Sequence, residues 1–189
     1  MRVVLASGSP RRLELLRRIG VEPVVRAADI DETPRPGEAP QDVVARLART
    51  KACTVAREPS DLVIAADTEV VLDGGVLGKP DGEAGAAAML RALSGRSHLV
   101  VTAVHVLHGD GEAASVDQTI VHLRPLTDDE IAAYVATGEP FGKAGAYAIQ
   151  GAGAMFVDRI EGSDTNVIGL PLATLVRLAG EVGVTLLPT

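Results

Sequence analysis

The stretch VVLASGSPRR, residues 3–12, decides what kind of fold this chain can form. It opens with a short, continuous apolar run, which is typical of a β-strand that is buried on both faces. Ser9 is a favourable N-cap residue, Pro10 suits the first position of a helix, and Gly20 suits its C-terminal stop. The stretch therefore predicts a buried strand, a turn and a helix in succession, as in α/β proteins.

The same kinds of pattern continue along the rest of the chain. We predict further helices over residues 41–57, 83–93, 127–138 and 170–182, and further strands over residues 62–66, 70–72, 76–77, 98–107, 115–123, 146–149 and 155–160. Asp73-Gly74-Gly75 is a strong tight-turn signal, and Thr127 with Glu130 forms a capping box. Because the elements alternate without repeats or linkers, we expect one domain over residues 1–189, an α/β fold with a mixed sheet and flanking helices.

Composition limits the classes of protein to which the chain can belong. With 189 residues, 47% of them hydrophobic and 23% charged, the chain can bury a full core, so intrinsic disorder is excluded. It contains two Tyr, two Phe and no Trp, so an aromatic platform for stacking nucleic-acid bases is not expected. The formal net charge of −7 repels polyanions, which argues against general binding of nucleic acids.

Cysteine content and hydropathy indicate the compartment. Cys53 is the only cysteine in the sequence, so neither an internal disulfide nor a thiolate zinc cluster can form. No apolar stretch approaches the roughly 20 residues needed to span a bilayer, and the apolar run behind Met1 and Arg2 is far too short for a signal peptide. We therefore expect a cytoplasmic protein that is not inserted in a membrane.

A first candidate site is the start of the predicted helix after residue 9. Backbone N–H groups at a helix start attract anions, and the hydroxyls of Ser7 and Ser9 lie beside a small glycine that lets phosphate oxygens approach. Arg11 and Arg12 oppose the helix dipole at roughly 0.3–1 kcal/mol each, which a bound phosphate would offset. The local pattern leaves two interpretations open: a phosphate site, or two arginines that splay into solvent.

Charged side chains also occur where apolar patterns make them unusual. Lys51 lies one turn after Leu47 on the apolar face of its predicted helix, so its ammonium either reaches into a cleft or, as is commoner, snorkels to the rim of the core. Asp67 is expected at the carboxyl end of a buried strand, where open α/β sheets bind ligands, although turn caps are also frequent there. Asp31-Glu32 can supply the second carboxylate of a magnesium site, but alone resembles an exposed loop.

Two further segments place donors beside small residues. In residues 143–151, KAGAYAIQG, small residues let backbone approach a ligand while Lys143 and Gln150 offer donors, although a closely packed strand crossing would select the same residues. Gly78-Lys79 lacks the Ser or Thr of a Walker loop, and the segment after Gly151 lacks the third glycine of a dinucleotide fingerprint. The four histidines show no metal-ligand spacing and are interpreted as structural or surface residues.

The order of these motifs resembles that of the Maf family of nucleotide pyrophosphatases over nearly the whole chain. The matching segments are residues 7–12 (SGSPRR), 46–52 (RLARTKA), 66–70 (ADTEV), 78–80 (GKP), 93–95 (LSG), 143–147 (KAGAY), 149–151 (IQG) and 169–171 (GLP). The resemblance implies a twisted mixed sheet related to the inosine-triphosphate pyrophosphatases, two lobes around a cleft and, commonly, a homodimer. It also favours the phosphate-site interpretation of the helix start.

The resemblance extends to a branch of the family. Residues 143–151 are similar to the branch that acts on dTTP and UTP, whereas the branch that prefers 7-methyl-GTP carries a Trp, which this chain lacks. Gly142 and Ala148 replace the branch's usual Asp and Gly, and the segment after Gly162 lacks its usual aromatic residue. These departures bear on the base preference more than on the type of reaction.

Roles for individual residues follow from the same resemblance. Asp67 matches the catalytic acidic residue, Lys51 and Lys79 match phosphate-binding lysines, and Arg12, Thr68 and Gln150 match positions associated with substrate choice. We expect Ser7, Ser9, Arg11 and Lys143 to assist in substrate binding, and Glu32 and Asp67 to hold Mg²⁺ or another divalent cation such as Mn²⁺.

The expected reaction is the hydrolysis of a nucleoside triphosphate to the monophosphate and pyrophosphate, as house-cleaning of the nucleotide pool. Asp67 would direct a water molecule at the α-phosphorus, while the arginines and lysines neutralise the charge of the phosphates. The main alternatives are a nucleotide-binding regulator of septum formation and cell division with little turnover, and a pyrophosphatase of the 7-methyl-GTP type. A third possibility, a general phosphatase, predicts the release of inorganic phosphate instead.

Overall fold

The computed structural model describes residues 1–55 and 57–186, and these residues form a mixed α/β architecture. The strands are β1 (Val3–Leu5), β2 (Val24–Val25), β3 (Leu62–Leu72), β4 (Gly75–Leu77), β5 (Ser97–His108), β6 (Gly111–Leu123) and β7 (Val157–Glu161). The α-helices are α1 (Pro10–Arg18), α2 (Pro40–Thr54), α3 (Gly82–Leu93), α4 (Asp128–Ala136), α5 (Asp164–Ile168) and α6 (Leu172–Glu181). These strands form one sheet in the order β2-β1-β3-β5-β6-β7, with β4 paired to β3 off this path. The predicted fold class is confirmed.

The chain folds into two compact units. Unit 1 contains the described residues of 1–67, 102–117 and 169–186, and unit 2 contains residues 68–101 and 118–168. Unit 1 has a buried apolar cluster that includes Val4 and Val63, and unit 2 has another that includes Leu90, Val121 and Phe156. Each unit therefore has buried apolar packing of its own among the described residues. None of the helices in the described part of the chain has the length and apolar character that crossing a membrane requires.

The stretch that opens the sequence folds as predicted, with one difference in detail. β1 pairs in parallel with β2 on one side and with β3 on the other, where Leu5 lies opposite Ile64. α1 starts at Pro10, and Gly20 follows its end with a φ of 78°, which the missing side chain of glycine allows. Ser9 occupies the N-cap position, but its side chain makes no capping hydrogen bond there.

The third strand is longer than the sequence indicated. β3 does not end at residue 66 but continues through Asp67 to Leu72, so the expectation that Asp67 follows the end of a strand is wrong. The β-branched residues that follow it favour extended backbone and carry the strand onward. The pairing of β1 with β3 ends at Ile64, so Asp67 still lies beyond the carboxyl end of the parallel part of the sheet.

Helix α2 carries its apolar stripe as predicted but is shorter at its C-terminal end. It begins with Pro40 in its first turn and ends at Thr54, three residues before the predicted residue 57, because Val55 already has extended backbone angles. Its buried face includes Val44, Leu47 and, unusually for a charged residue, Lys51.

Unit 2 confirms the local turn and cap signals. β3 and β4 are joined by Asp73 and Gly74, whose φ values of 52° and 80° give the two positive-φ residues of a type I′ hairpin turn. Thr127 and Glu130 form the predicted capping box at the start of α4. Both signals are local, since each depends on residues close in sequence.

The prediction for the segment after α4 is partly wrong. Residues 146–149 do not form a strand, because Gly145 and Ala146 have φ values of 72° and 59° and close a 3-10 turn over Ala144–Ala146. A second 3-10 helix, Ala152–Phe156, replaces the start of the next predicted strand, so β7 begins at Val157. Elsewhere, β6 begins four residues earlier than predicted, and α5 and the short β2 were not foreseen.

Candidate active site

A buried ion pair joins α2 to β3 in unit 1. Lys51 Nζ lies 2.6 Å from Asp67 Oδ1, and each residue is only 7% exposed. An isolated charge is costly to bury, so each of these side chains depends on its partner to remain inside. The ammonium of Lys51 therefore does not snorkel to solvent, and the interpretation that favoured snorkelling is wrong.

Glu32 brings a second carboxylate to the same ammonium. Its Oε1 atom lies 2.7 Å from Lys51 Nζ, and its side chain is 53% exposed. The structure thus brings together the two acidic residues that the sequence analysis paired, Glu32 and Asp67, although it places a lysine between them. One carboxylate is buried and the other opens to solvent, which is a suitable arrangement for a ligand that enters from outside.

The loop that carries Glu32 is fastened by a second ion pair, between Glu38 and Arg46. Both oxygens of the Glu38 carboxylate accept hydrogen bonds from the Arg46 guanidinium, at 2.6 and 2.7 Å, and Arg46 also donates to the carbonyl of Thr33 at 3.3 Å. These bonds from Arg46, with one from the backbone N–H of Arg35, lower the pKa of Glu38 to about 2. The pair therefore stays charged at neutral pH and fixes the chain next to Glu32.

The role of this ion pair was not foreseen from the sequence. Arg46 lies within the segment RLARTKA that matched the family pattern, so its position could have drawn attention. Glu38 carried no signal, because its partner is eight residues away across a loop and a helix start.

Arg12 is buried at the start of α1, where it donates hydrogen bonds to Gly169 and Ser7. Its Nε donates to the carbonyl of Gly169 at 2.8 Å, and its Nη1 donates to Ser7 Oγ at 3.0 Å, while the residue is only 9% exposed. Arg11 is half-buried. The interpretation in which Arg12 splays into solvent is therefore wrong.

The charge of Arg12 is balanced by the carboxylates of the same unit. Burial lowers the pKa of its guanidinium; Asp67 opposes this effect, Arg11 adds to it and Glu32 opposes it. An arginine remains charged in spite of such a shift. Unit 1 thus combines buried or half-buried cations at Arg11, Arg12 and Lys51 with two carboxylates.

The turn before α1 is open to an anion. Ser7 Oγ accepts a hydrogen bond from the backbone N–H of Ser9 at 3.2 Å, which shapes the turn. The side chain of Ser9, the N-cap residue of α1, makes no capping hydrogen bond, and the first turn of α1 contains no acidic residue, in contrast to α4. A helix start of this kind, with Arg11 and Arg12 beside it, favours a phosphate group.

The remaining predicted site residues belong to unit 2. Thr68 is half-buried on β3, Lys79 is exposed after β4, and Gln150 is exposed in a turn between the two 3-10 helices. Lys143 is half-buried, and its ammonium donates a hydrogen bond to the backbone carbonyl of Glu139. Glu139 was not singled out from the sequence, although it organises this part of unit 2.

Glu32 and Asp67, the two carboxylates that contact Lys51, are the residues here that could hold a divalent cation. Magnesium is commonly held by one or two carboxylates, with water molecules and substrate phosphates completing its shell. Glu32 and Asp67 each place an oxygen within 2.7 Å of one cationic atom, so their oxygens already converge. Among the described residues, no group of three or more His, Cys, Asp or Glu side chains could hold a metal ion.

Comparison with known proteins identifies a matching family and similar relatives. Residues 2–182 match the family described as Maf-like protein. The dTTP/UTP pyrophosphatase of Geobacter sulfurreducens is 55% identical over 96% of this chain and 97% of its own length. That of Anaeromyxobacter dehalogenans (strain 2CP-1) is 53% identical over 96% of this chain and 94% of its own. A solved nucleoside-triphosphatase, a dITP/XTP pyrophosphatase from Mycobacterium abscessus, is 22% identical with a TM-score of 0.43, over 67% of this chain and 76% of that one.

Proposed function

This chain belongs to the Maf-like protein family, and on that premise we propose that it hydrolyses dTTP and UTP to the nucleoside monophosphate and pyrophosphate. The relatives named dTTP/UTP pyrophosphatase support the reaction class. The observation that carries the proposal is the buried pair of Lys51 and Asp67, which also contacts Glu32. A structural ion pair has no need of a second, solvent-exposed carboxylate, whereas a site for a metal-bound triphosphate does.

The cationic residues of unit 1 would bind the phosphates. Arg11 and Arg12 lie at the start of α1, where backbone N–H groups add a favourable field, and Lys51 brings a third positive charge. We propose Mg²⁺, or another divalent cation such as Mn²⁺, as the cofactor; held by Glu32 and Asp67, it would neutralise charge that develops on the phosphates. In phosphoryl transfer, positioning and electrostatics of this kind carry most of the catalysis.

Asp67 is proposed as the general base. Its carboxylate accepts a proton from a water molecule, and the oxygen of that water forms a bond to the α-phosphorus. The bond between the α-phosphorus and the oxygen that bridges to the β-phosphorus breaks, and this oxygen leaves with the pyrophosphate. No covalent intermediate with the protein is required.

Residues of unit 2 are proposed to bind and select the substrate. Thr68 and Gln150 would read the edge of the base, and Lys79 and Lys143 would assist with the phosphates. The amide of Gln150 offers one acceptor and two donors, which complement the carbonyl and imide N–H groups of uracil and thymine. A purine would leave some of these groups unpaired, so we expect pyrimidine triphosphates to be preferred.

A pyrophosphate-release assay tests the proposal. The purified chain should release pyrophosphate from dTTP and UTP in the presence of Mg²⁺, and release should stop when EDTA removes the metal ion. GTP and 7-methyl-GTP should be poorer substrates. Release of inorganic phosphate would indicate a general phosphatase instead, and tight nucleotide binding without turnover would favour the nucleotide-binding regulator of septum formation and cell division.

A further inference from the structure

The turn that carries Gln150 is held on both sides by two side chains of unit 2, Tyr134 and Glu139. On one side, the backbone N–H of Ala148 donates to the hydroxyl of Tyr134 at 3.1 Å. On the other, the N–H groups of Ala152 and Gly153 donate to the Glu139 carboxylate at 3.0 and 2.9 Å. The hydroxyl of Tyr134 in turn donates to Glu139 at 2.7 Å, which joins the two sides.

The turn itself is tight, and its glycines allow the close approach. The N–H of Gly151 donates to the carbonyl of Ala148 at 3.1 Å, so Gln150 lies inside a closed turn. A Cβ atom on Gly151 would come closer than 3.0 Å to the Glu139 carboxylate, and one on Gly153 would lie 2.8 Å from the hydroxyl of Tyr134. Side chains at these two positions would therefore push the turn away from the pair.

Burial and hydrogen bonds hold Tyr134 and Glu139 in fixed positions. Tyr134 is only 3% exposed, and its ring packs edge to face against Phe156 with a centroid distance of 4.9 Å. Burial alone would raise the pKa of Glu139, but the hydrogen bonds from Gly153, Tyr134 and Ala152 together bring it below its ordinary value. Glu139 therefore remains a carboxylate at neutral pH and accepts all three bonds.

We propose that Tyr134 and Glu139 are positioning residues for base selection, which hold the turn of residues 148–151 so that the amide of Gln150 meets the edge of the base in one orientation. The inference rests on the proposed function, because it assigns a cause to the expected preference for uracil and thymine. An exposed amide on a mobile turn can rotate and adjust to several base edges, whereas an amide on a fixed turn penalises the wrong edge.

The test uses Tyr134→Phe with Tyr147→Phe as its matched control. Both substitutions remove the hydroxyl of a buried tyrosine in unit 2, but that of Tyr147 is bonded to His98 and to none of the backbone groups around Gln150. The assay compares kcat/KM for UTP and GTP. Tyr134→Phe should reduce the preference for UTP roughly tenfold, because an amide on a loosened turn can adjust to the other base edge. Tyr147→Phe should leave the ratio unchanged.

A readout that needs no turnover accompanies the assay. Hydrogen exchange of the amides of residues 148–153 should become faster in Tyr134→Phe and stay slow in Tyr147→Phe. If Tyr134→Phe does not fold, Glu139→Gln is tested in its place. The amide nitrogen of the new glutamine would face backbone N–H donors, so the turn should loosen and the preference for UTP over GTP should decrease.

Failure of the inference is distinguishable from failure of the proposed function. A wild-type chain that releases no pyrophosphate from any triphosphate contradicts the proposed function. In that case, equal affinity of the wild type and Tyr134→Phe for a non-hydrolysable UTP analogue would contradict the inference as well. A wild-type chain that is active and selective, with a Tyr134→Phe variant of equal selectivity, overturns the inference alone. An active wild type without base preference overturns the role in selection.

Discussion

At the scale of single residues, Asp67 is the first to test, because it combines a buried carboxylate with the proposed role of general base. Asp67→Asn preserves the shape of the side chain and can still accept a hydrogen bond from Lys51, so the chain should fold. Turnover should fall roughly 10²- to 10⁴-fold, as is usual when a general base is removed. Steady-state release of pyrophosphate from UTP measures this.

Asp61→Asn is the matched control for that substitution. Asp61 is only 2% exposed, lies in unit 1 and is paired with Arg2 at 2.6 Å, outside the candidate site. Its replacement should lower thermal stability and leave turnover of the folded protein near that of the wild type. Near-normal turnover in Asp67→Asn, with unchanged dependence on Mg²⁺, would contradict the assignment of Asp67.

The two lysines of the proposed phosphate site should respond differently to substitution. Lys51→Met leaves the buried carboxylate of Asp67 without its partner, which is expected to cost roughly 3–5 kcal/mol of stability. Lys79 is exposed, so Lys79→Met should leave stability unchanged while raising KM. Thermal unfolding and UTP kinetics of both variants check this.

A double variant separates the ion pair from other effects of the substitution. If the cost of Lys51→Met comes from the unpaired carboxylate, Lys51→Met with Asp67→Asn should be more stable than Lys51→Met alone. A double variant that is less stable than either single variant would show that Lys51 stabilises unit 1 through its packing instead.

At the scale of elements, the sequence predicted features that depend on neighbouring residues and missed those that depend on distant ones. Pro10 with Gly20, the Asp73-Gly74 turn and the capping box of Thr127 all folded as expected, because each signal lies within a few residues of its effect. β3 was cut short at residue 66 because a lone carboxylate among apolar residues reads as an end, whereas its partner Lys51 comes from another element.

The candidate site shows the same division. The residue types and the order of the motifs were sufficient to select Arg12, Lys51 and Asp67, but their hydrogen-bond partners could not be derived from spacing. Arg12 donates to the backbone carbonyl of Gly169, which is 157 residues away. Because every residue has a backbone carbonyl, the amino-acid sequence does not show which one accepts this hydrogen bond. Glu139 was missed for the same reason, because it accepts hydrogen bonds from the backbone N–H groups of Ala152 and Gly153. Glu38 was missed because its partner Arg46 lies eight residues away, across a loop and a helix start.

The loop before α2 gives a prediction at this scale, through the pair of Glu38 and Arg46. Glu38→Gln removes the charge that fixes the loop, so Glu32 should be held less firmly as a ligand for the metal ion. The concentration of Mg²⁺ that gives half-maximal activity should rise roughly 10- to 100-fold, as is typical when a residue that orients a metal ligand is replaced. A Mg²⁺ titration of UTP hydrolysis measures the change.

Glu22→Gln serves as the control for the loop. Glu22 forms a similar bidentate pair with Arg17 in unit 1, but on the exposed surface after α1. An exposed pair contributes little, so its loss should leave the Mg²⁺ titration unchanged. Equal titrations for Glu38→Gln and the wild type would mean that the loop holds Glu32 without the help of Arg46.

At the scale of the whole molecule, charge and hydropathy set the class of the protein but not its site. The net charge of −7 conceals a local group of cations at Arg11, Arg12 and Lys51, which a triphosphate can use while longer polyanions are repelled. The homodimer expected from the family resemblance stays a prediction, which light scattering of the purified chain would test.

Stability of the whole chain should depend on pH through His98, which is buried on β5. Its Nε2 atom lies 2.8 Å from the hydroxyl of Tyr147, and the residue is only 4% exposed. Burial, with a smaller contribution from His122, lowers the pKa of His98 from 6.5 to about 4. The imidazole is therefore neutral in the folded chain at pH values where the unfolded chain already binds a proton.

The sign of the effect follows from that difference in proton binding. Because the folded pKa lies below the unfolded one, the contribution of His98 is fully present above pH 6.5 and is lost as the pH falls towards about 4. A shift of this size corresponds to roughly 3 kcal/mol across that window.

Thermal unfolding between pH 7 and pH 4 should show the wild type losing stability more steeply than His98→Gln, whose side chain does not titrate. Parallel curves for the wild type and His98→Gln would show that folding does not lower the pKa of His98.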